Sequence, residues 1–204
     1  ILSVNNKPWG WIYRVAVIIL FAVRKLSASR PQGPGNSINK DRVTSGADRG
    51  KENSMKVGFI GLGSMGYGQA MLLAKSEHEL TVFDVAAKAM APFEGKATLA
   101  GELAGTGRDA DVVGVCVRDD QQVNECADAL IPVMPADSVL LIHSTVKPAT
   151  MESLAARASE RKINVLDAAV TRTVMAQDAP FVFCMTGGDD AVAERVQPVL
   201  GTYS

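Results

Sequence analysis

The sequence has few of the residues that build metal sites and disulfide frameworks. Its 204 residues include only three cysteines, Cys116, Cys126 and Cys184, and two histidines. The cysteine count is odd, and no CxxC or Cys/His spacing suited to zinc occurs. Because the cysteines lie in apolar strand or helix segments, they favour buried, reduced thiols. We therefore expect no metal site and a cytoplasmic location.

The sequence also has little net charge, formally −1, which gives no indication of nucleic-acid binding. The charge is nevertheless unevenly divided. Residues 1–54 carry nine Lys or Arg and three Asp or Glu, a balance of +6, whereas residues 55–204 carry twelve and nineteen, a balance of −7. The two parts are different kinds of sequence.

Long apolar runs are also scarce. The run at 11–23 is interrupted by Arg14 and is too short for a typical membrane span, so no membrane role is expected. The segment from 29 to 54 is rich in Gly, Pro, Ser and charge, which predicts an unstructured segment. We expect residues 1–54 to be a translated leader, with the native protein starting at Met55. A genuine targeting segment is the alternative.

A glycine motif follows immediately after Met55. Residues 55–60, MKVGFI, predict a buried strand, and residues 64–75 are compatible with a helix. From the end of this strand into the start of the helix, Gly61, Gly63 and Gly66 have the order G-x-G-x-x-G. In this setting the three glycines allow a tight turn, a close approach to a pyrophosphate, and helix–strand packing. The alternative, a plain tight turn, is weaker in this setting.

An acidic residue, Asp84, ends the next predicted strand at 79–84. It lies eighteen residues after Gly66, where a carboxylate accepts hydrogen bonds from the ribose hydroxyls of NAD. It would repel a 2′-phosphate by up to about 4 kcal/mol per unit charge. Residues 85–87 hold no Arg to offset this, and Lys88 is poorly placed, so NAD is favoured over NADP. Asp84 could also be an N-cap of the next helix.

The rest of the chain alternates strands and helices, which predicts an α/β fold of the Rossmann type with a doubly wound, mostly parallel sheet. The predicted strands lie at 109–117, 138–145, 163–170 and 181–188, with a short one at 96–99. The predicted helices lie at 119–131, 148–162 and 189–200. The cofactor crevice should then be lined by residues at strand ends, namely Val117, Arg118, Ser144, Thr145, Thr171 and Arg172.

Four segments resemble the β-hydroxyacid dehydrogenase family, which includes 3-hydroxyisobutyrate dehydrogenases and tartronate semialdehyde reductases. FIGLGSMG at 59–66 matches the family's opening motif, and VFDV at 82–85 resembles its NAD-preferring form. HSTVKPAT at 143–150 is similar to the S-T-x-x-P segment. LDAAVTRTVMAQDAPFVFCMTGG at 166–188 aligns with the D-A-P-V-S-G-G stretch and the M-V-G-G that follows it.

The resemblance implies hydride transfer between NAD and a small 3-hydroxy acid, and a homo-oligomer when the protein is of full length. It assigns cofactor contacts to Gly61, Leu62, Gly63, Ser64, Met65, Gly66, Asp84, Val117 and Thr145. It assigns the substrate acid to Thr171, Arg172 and Thr173, where the family has Ser-Gly-Gly. Arg172 could bind a carboxylate, a sulfonate or a phosphate, or could be a surface charge.

The resemblance also implies what these 204 residues do not contain. The family's lysine acid–base lies in G-x-x-G-x-G-x-x-x-K-x-x-x-N, a motif that does not occur here, and the helical second domain has no counterpart. The resemblance places that lysine beyond Ser204. We therefore expect 55–204 to be an incomplete nucleotide-binding domain, without a catalytic residue and a poor catalyst alone.

Other functions stay open at this point. The chain could be a noncatalytic NAD-binding module, or part of a reductase of sulfonated or phosphorylated aldehydes. A 6-phosphogluconate-type dehydrogenase is disfavoured by Asp84, because that type is expected to favour NADP. An imine reductase is a further alternative, because it shares this architecture.

Overall fold

A seven-stranded sheet organises the chain in the computed structural model, which describes residues 54–171 and 182–204. The strands lie side by side in the order β3-β2-β1-β4-β5-β6-β7. All neighbouring pairs are parallel except β6 and β7, which are antiparallel. The strands are β1 Lys56–Ile60, β2 Glu79–Phe83, β3 Thr98–Leu99, β4 Val112–Val115, β5 Val139–Ile142, β6 Asn164–Thr171 and β7 Phe183–Gly187.

This architecture confirms the predicted doubly wound, mostly parallel α/β sheet. Each predicted strand has a counterpart, including the short one expected at 96–99. The strand predicted at 109–117 is shorter, Val112–Val115. Because β4 is buried on both faces, its apolar run carries no alternation that would mark where the strand ends.

Helices connect the parallel strands, as crossover connections require. They are α1 Gly66–Leu73, α2 Ala87–Met90, α3 Asp120–Leu130, α4 Pro148–Ser159, α5 Asp190–Arg195 and α6 Gln197–Leu200, with 3-10 turns at Ala91–Phe93 and Leu103–Thr106. Asp119 caps α3 by accepting a hydrogen bond from the Gln122 backbone N–H at 3.0 Å. Pro148 opens α4, where a missing N–H costs nothing.

The single helix predicted at 189–200 is wrong. The segment forms two short helices, α5 and α6, that meet at Val196, whose backbone leaves the helical region at φ −93° and ψ 2°. Pro198 follows two residues later and has no N–H to donate to Glu194, so a continuous helix would lose that hydrogen bond. The predicted helix 148–162 also ends early, at Ser159, shortly before Lys162 takes a positive φ of 58°.

The core lies on both faces of the sheet. Alternate residues of the central strands point to opposite faces, so Val57 and Phe59 belong to one buried cluster and Ile60 to the other. The first cluster includes α1 and the segment from Val196 to Tyr203. The second includes α3 and α4. The two clusters together hold the carboxyl ends of the strands in fixed positions.

Within residues 54–171 and 182–204, none of the helices combines the length and apolar character that crossing a bilayer requires. The same residues contain no group of three His, Cys, Asp or Glu side chains arranged to hold a metal ion. The apolar run at 11–23 and the expected leader fall outside the described residues, apart from Ser54.

Candidate functional site

The candidate site lies where the strand order reverses. From β1 the chain first extends the sheet on one side through β2 and β3, and then returns to place β4 on the other side of β1. The loops that leave β1 and β4 therefore diverge and open a crevice at the carboxyl ends of the strands. In open α/β sheets this is where ligands bind.

The glycine loop occupies the β1 side of this crevice, and two of its glycines are required by close backbone contacts. Gly61 has a φ of +90°, and a β-carbon there would lie 2.2 Å from the carbonyl oxygen of Cys116. A β-carbon at Gly66 would lie 1.9 Å from the carbonyl oxygen of Gly61. The turn and the start of α1 therefore pack too closely for any other residue.

Gly63 differs from both, because a β-carbon there would meet no atom within 4 Å. Gly63 and Ser64 are exposed, whereas Leu62 is buried and anchors the loop. Met65, half-buried, is the N-cap of α1 and makes no side-chain capping bond. The first turn of α1 therefore presents backbone N–H groups without an acidic side chain among them. An exposed glycine loop at the start of a helix, with open space at Gly63, fits a pyrophosphate.

Asp84 follows β2 and holds the adjoining edge of the crevice. Its Oδ2 accepts a hydrogen bond from the Leu62 backbone N–H at 2.7 Å, and its Oδ1 accepts one from the Ala86 N–H at 2.8 Å. The carboxylate is thereby tied to the glycine loop. The N-cap alternative is wrong, because the N-cap of α2 is Ala86. Val85, the next residue, is 93% exposed.

On the other side of the crevice, Ser144 joins the ends of β4 and β5. Its Oγ accepts a hydrogen bond from the Val117 N–H at 2.9 Å and donates one to the Val117 carbonyl at 2.8 Å. Ser144 is buried, whereas Thr145 is exposed at the crevice and Val117 is half-buried. Sequence reasoning placed Ser144 at a strand end but did not predict this double contact.

Hydrogen bonds to Asp120 fix the segment that follows Thr145. Asp120 accepts hydrogen bonds at Oδ1 from Thr150 Oγ1 at 2.5 Å and from the Lys147 backbone N–H at 3.0 Å. The Thr150 hydroxyl, followed by the Lys147 N–H, lowers the pKa of the Asp120 carboxyl. The loop between β5 and α4 is thereby fastened to the first turn of α3.

A buried polar pair lies beneath this edge. His143 and Tyr203 are 2% and 1% exposed, and their side chains meet at 3.1 Å between Nε2 and Oη. Burial lowers the pKa of His143 to about 4 and raises the pKa of Tyr203, so both are neutral near pH 7. Sequence reasoning did not find this pair, because its members are 60 residues apart.

Ser204 follows Tyr203 and marks the position beyond which the family's acid–base lysine is expected. It is exposed, and its Oγ donates a hydrogen bond to the carbonyl oxygen of Leu200 at 2.8 Å. Its backbone N–H donates to the same carbonyl at 3.0 Å. Ser204 therefore completes the end of α6, and we assign it no catalytic role. The lysine beyond it stays a prediction.

The predicted substrate residues are only partly within the described residues. Thr171 is the last residue of β6 and is exposed, opposite Phe183 of β7. Its strand is separated from β4 by β5 alone, so Thr171 belongs to the same carboxyl edge. Arg172 and Thr173 lie outside the described residues.

The three cysteines are free, as the sequence predicts. Cys116 lies directly behind the glycine loop, where its N–H donates to the Ile60 carbonyl at 2.8 Å. Burial raises the pKa of each thiol, Cys116, Cys126 and Cys184, to about 11. Such thiols remain protonated at neutral pH and are not nucleophiles.

A glycine loop at the strand-order reversal, with a carboxylate hydrogen-bonded to it from the end of β2, defines the class: a dinucleotide-binding domain of the NAD(P) type. The chain belongs to the family described as the NAD binding domain of 6-phosphogluconate dehydrogenase, which matches residues 56–204. The resemblance to the hydroxyacid dehydrogenases is confirmed by the following relatives.

An uncharacterized oxidoreductase of Mycobacterium tuberculosis is 34% identical over 146 residues, which cover 70% of this chain and 49% of the relative. A probable mitochondrial 3-hydroxyisobutyrate dehydrogenase of Dictyostelium discoideum is 32% identical over 142 residues, covering 68% and 44%. A solved 3-hydroxyisobutyrate dehydrogenase of Salmonella typhimurium is similar with a TM-score of 0.67 and 26% identity, covering 72% and 53%. The chain thus spans about half the length of these relatives.

Proposed function

We propose that the chain is the nucleotide-binding part of an oxidoreductase that transfers a hydride between NAD and a small 3-hydroxy acid or the corresponding semialdehyde. The observation that carries the choice of NAD is Asp84. Its carboxylate is held at the crevice by the N–H groups of Leu62 and Ala86, and the exposed Val85 beside it offers no cation. A 2′-phosphate would meet this negative charge, whereas the ribose hydroxyls of NAD can donate to it.

The chain's own residues bind and orient in this proposal. The backbone from Gly61 to Gly66 and the first turn of α1 hold the pyrophosphate, and Asp84 accepts from the ribose. Val117 and Thr145 bound the opposite wall, which Ser144 keeps in place. NAD, when bound, supplies the hydride acceptor. The acid–base lysine of the family has no counterpart in these 204 residues, so we assign none of them to the proton.

We propose a small anionic substrate, held by Thr171, Arg172 and Thr173. An arginine forks onto carboxylates and equally onto sulfonates or phosphates, so a reductase of sulfonated or phosphorylated aldehydes is the second candidate. A panel of carboxylated, sulfonated and phosphorylated substrates, compared between the wild type and Arg172→Gln, separates the two. We also propose that the full-length protein is a homo-oligomer, which light scattering would test.

The first experiment titrates the chain with NADH and with NADPH, using the fluorescence of the bound nicotinamide. We expect NADH to bind at least about tenfold more tightly, since each 1.4 kcal/mol is tenfold and the repulsion at Asp84 reaches up to about 4 kcal/mol. Asp84→Asn removes the charge and should narrow the preference for NADH. Equal affinities in the wild type, or an unchanged ratio in Asp84→Asn, would contradict the proposal.

Asp111→Asn is the matched control. Asp111 is an exposed carboxylate that, like the half-buried Asp84, accepts a backbone N–H, here from Lys56 at 2.8 Å. Asp111 lies at the amino ends of the strands, directly before β4 and beside the start of β1, whereas Asp84 lies at their carboxyl ends. Asp111→Asn should therefore leave the ratio of NADH to NADPH affinity unchanged.

A noncatalytic NAD-binding module would give the same binding results, and turnover separates it from an enzyme. We expect this chain alone to turn over slowly, because acid–base groups typically contribute about 10²–10⁴-fold. Rates for this chain equal to those of the hydroxyacid dehydrogenases would refute that expectation. Absence of any hydride transfer in the full-length protein, over the whole substrate panel, would favour the noncatalytic module.

A further inference from the structure

The hydrogen bonds of His143 fix which of its nitrogens carries the proton. Nδ1 lies 2.8 Å from the carbonyl oxygen of Ala168. A carbonyl oxygen can only accept, so Nδ1 is the protonated nitrogen of the neutral ring. Nε2 is therefore an acceptor, and the Tyr203 hydroxyl, 3.1 Å away, donates to it. The same carbonyl of Ala168 also accepts from the thiol of Cys184 at 3.3 Å.

The ring of His143 also packs beneath the glycine loop. It stacks on Phe59, with 5.8 Å between ring centroids. Gly114 of β4 makes room for the stack, because a β-carbon there would lie 3.0 Å from Phe59 Cδ2 and 3.2 Å from His143 Nε2. Phe59 in turn supports α1, since its Cε1 would lie 3.1 Å from a β-carbon at Gly66. Packed atoms thus connect Tyr203 to the pyrophosphate side of the crevice.

The pair is equally connected to the opposite wall. His143 directly precedes Ser144, whose Oγ makes both contacts to Val117. The backbone carbonyl of Tyr203 accepts from the Val182 N–H at 2.9 Å, just before β7. The pair therefore joins β5, β6 and the segment around β7 at their buried ends.

We propose that Tyr203 is a positioning residue for the cofactor crevice: its hydroxyl holds the His143 ring in the one orientation that supports the glycine loop through Phe59 and the Ser144–Val117 contact. This inference rests on the proposed NAD site for its functional consequence. Tyr203 lies far along the chain from the glycine motif at 61–66. In this proposal Tyr203 does not itself touch the cofactor.

Tyr203→Phe tests this, because it removes only the hydroxyl and keeps the ring that packs on His143. We expect the Kd for NADH to rise by about tenfold, within the range for contacting residues that share one network. The Val117 amide, which donates to Ser144 Oγ, should also exchange with solvent faster by about the same factor. The 15N resonance of unprotonated Nε2 in His143 should shift as its hydrogen bond is lost.

Ile163→Val is the control for a general loss of stability. Ile163 is 3% exposed and belongs to the buried cluster on the other face of the sheet. Ile163→Val should lower the Tm without changing the Kd for NADH or the exchange rate of the Val117 amide relative to other amides. In a His143→Asn background, which lacks Nε2, Tyr203→Phe should have no further effect on the Kd.

The outcomes separate the two proposals. Failure of the wild-type chain to bind NADH would overturn the proposed function, whereas Val117 exchange and the His143 resonance would still decide the positioning role. If Tyr203→Phe leaves both the Val117 exchange rate and the His143 Nε2 resonance unchanged, the positioning role of Tyr203 is overturned. Wild-type NADH affinity in Tyr203→Phe, when the wild type binds normally, would overturn it as well.

Discussion

Two glycines of the loop should respond oppositely to the same substitution, alanine. A β-carbon at Gly66 would lie 1.9 Å from the Gly61 carbonyl oxygen, whereas ordinary contact begins at 3.4 Å. The difference, 3.4 minus 1.9, is 1.5 Å, and the obstructing atom belongs to the backbone. The loop or α1 must therefore move. At Gly63 the methyl group enters open space, with no positive φ to strain it.

We expect Gly66→Ala to lower the free energy of unfolding by about 1–3 kcal/mol or more, as overpacked sites do. For a chain of this size that is a fall in Tm of about 2–4 °C per kcal/mol. NADH binding should be lost as well, because a loop displaced by about 1 Å no longer offers its N–H groups in place. Thermal melts and NADH titration measure both effects.

Gly63→Ala should keep or raise the stability, by up to about 1 kcal/mol, because alanine restricts the unfolded chain. NADH binding should nevertheless weaken by about tenfold or more, since the methyl group occupies the space where the pyrophosphate approaches the backbone. Wild-type NADH affinity in Gly63→Ala would refute the placement of the pyrophosphate. An unchanged Tm in Gly66→Ala would refute the packing argument.

Two further predictions concern the opposite wall. The pKa of His143, about 4 in the fold against 6.5 ordinarily, means that the unfolded chain takes up a proton that the folded chain does not. The free energy of unfolding should therefore fall as the pH drops from 6.5 to about 4, by about 3 kcal/mol in all, and pH-dependent melts of His143→Gln should lack this contribution. Ser144→Ala should lower the free energy of unfolding by about 1–3 kcal/mol, because the N–H and the carbonyl of Val117 lose their bonds to Ser144 Oγ. It should also weaken NADH binding. Ser138→Ala, which removes a similarly buried hydroxyl bonded to Pro135, should lower the Tm but leave NADH binding unchanged.

Much of the fold was predictable because its signals are local. The glycine motif lies within six residues, between a strand and a helix, and Asp84 follows at the spacing that the next strand requires. Apolar runs located the strands, and their alternation with helices predicted the parallel sheet. The break at Val196 was missed because the whole segment is compatible with a helix, apart from Pro198, and packing decides where it bends.

The sequence by itself determined the class of this protein: a G-x-G-x-x-G motif between a strand and a helix, and a carboxylate at the end of the next strand. Only the tertiary structure decided what holds the crevice open. Ser144 meets Val117 across 27 residues, and Tyr203 meets His143 across 60. Such contacts depend on strand order and burial, which bring distant residues together, so no local pattern in the chain could predict them.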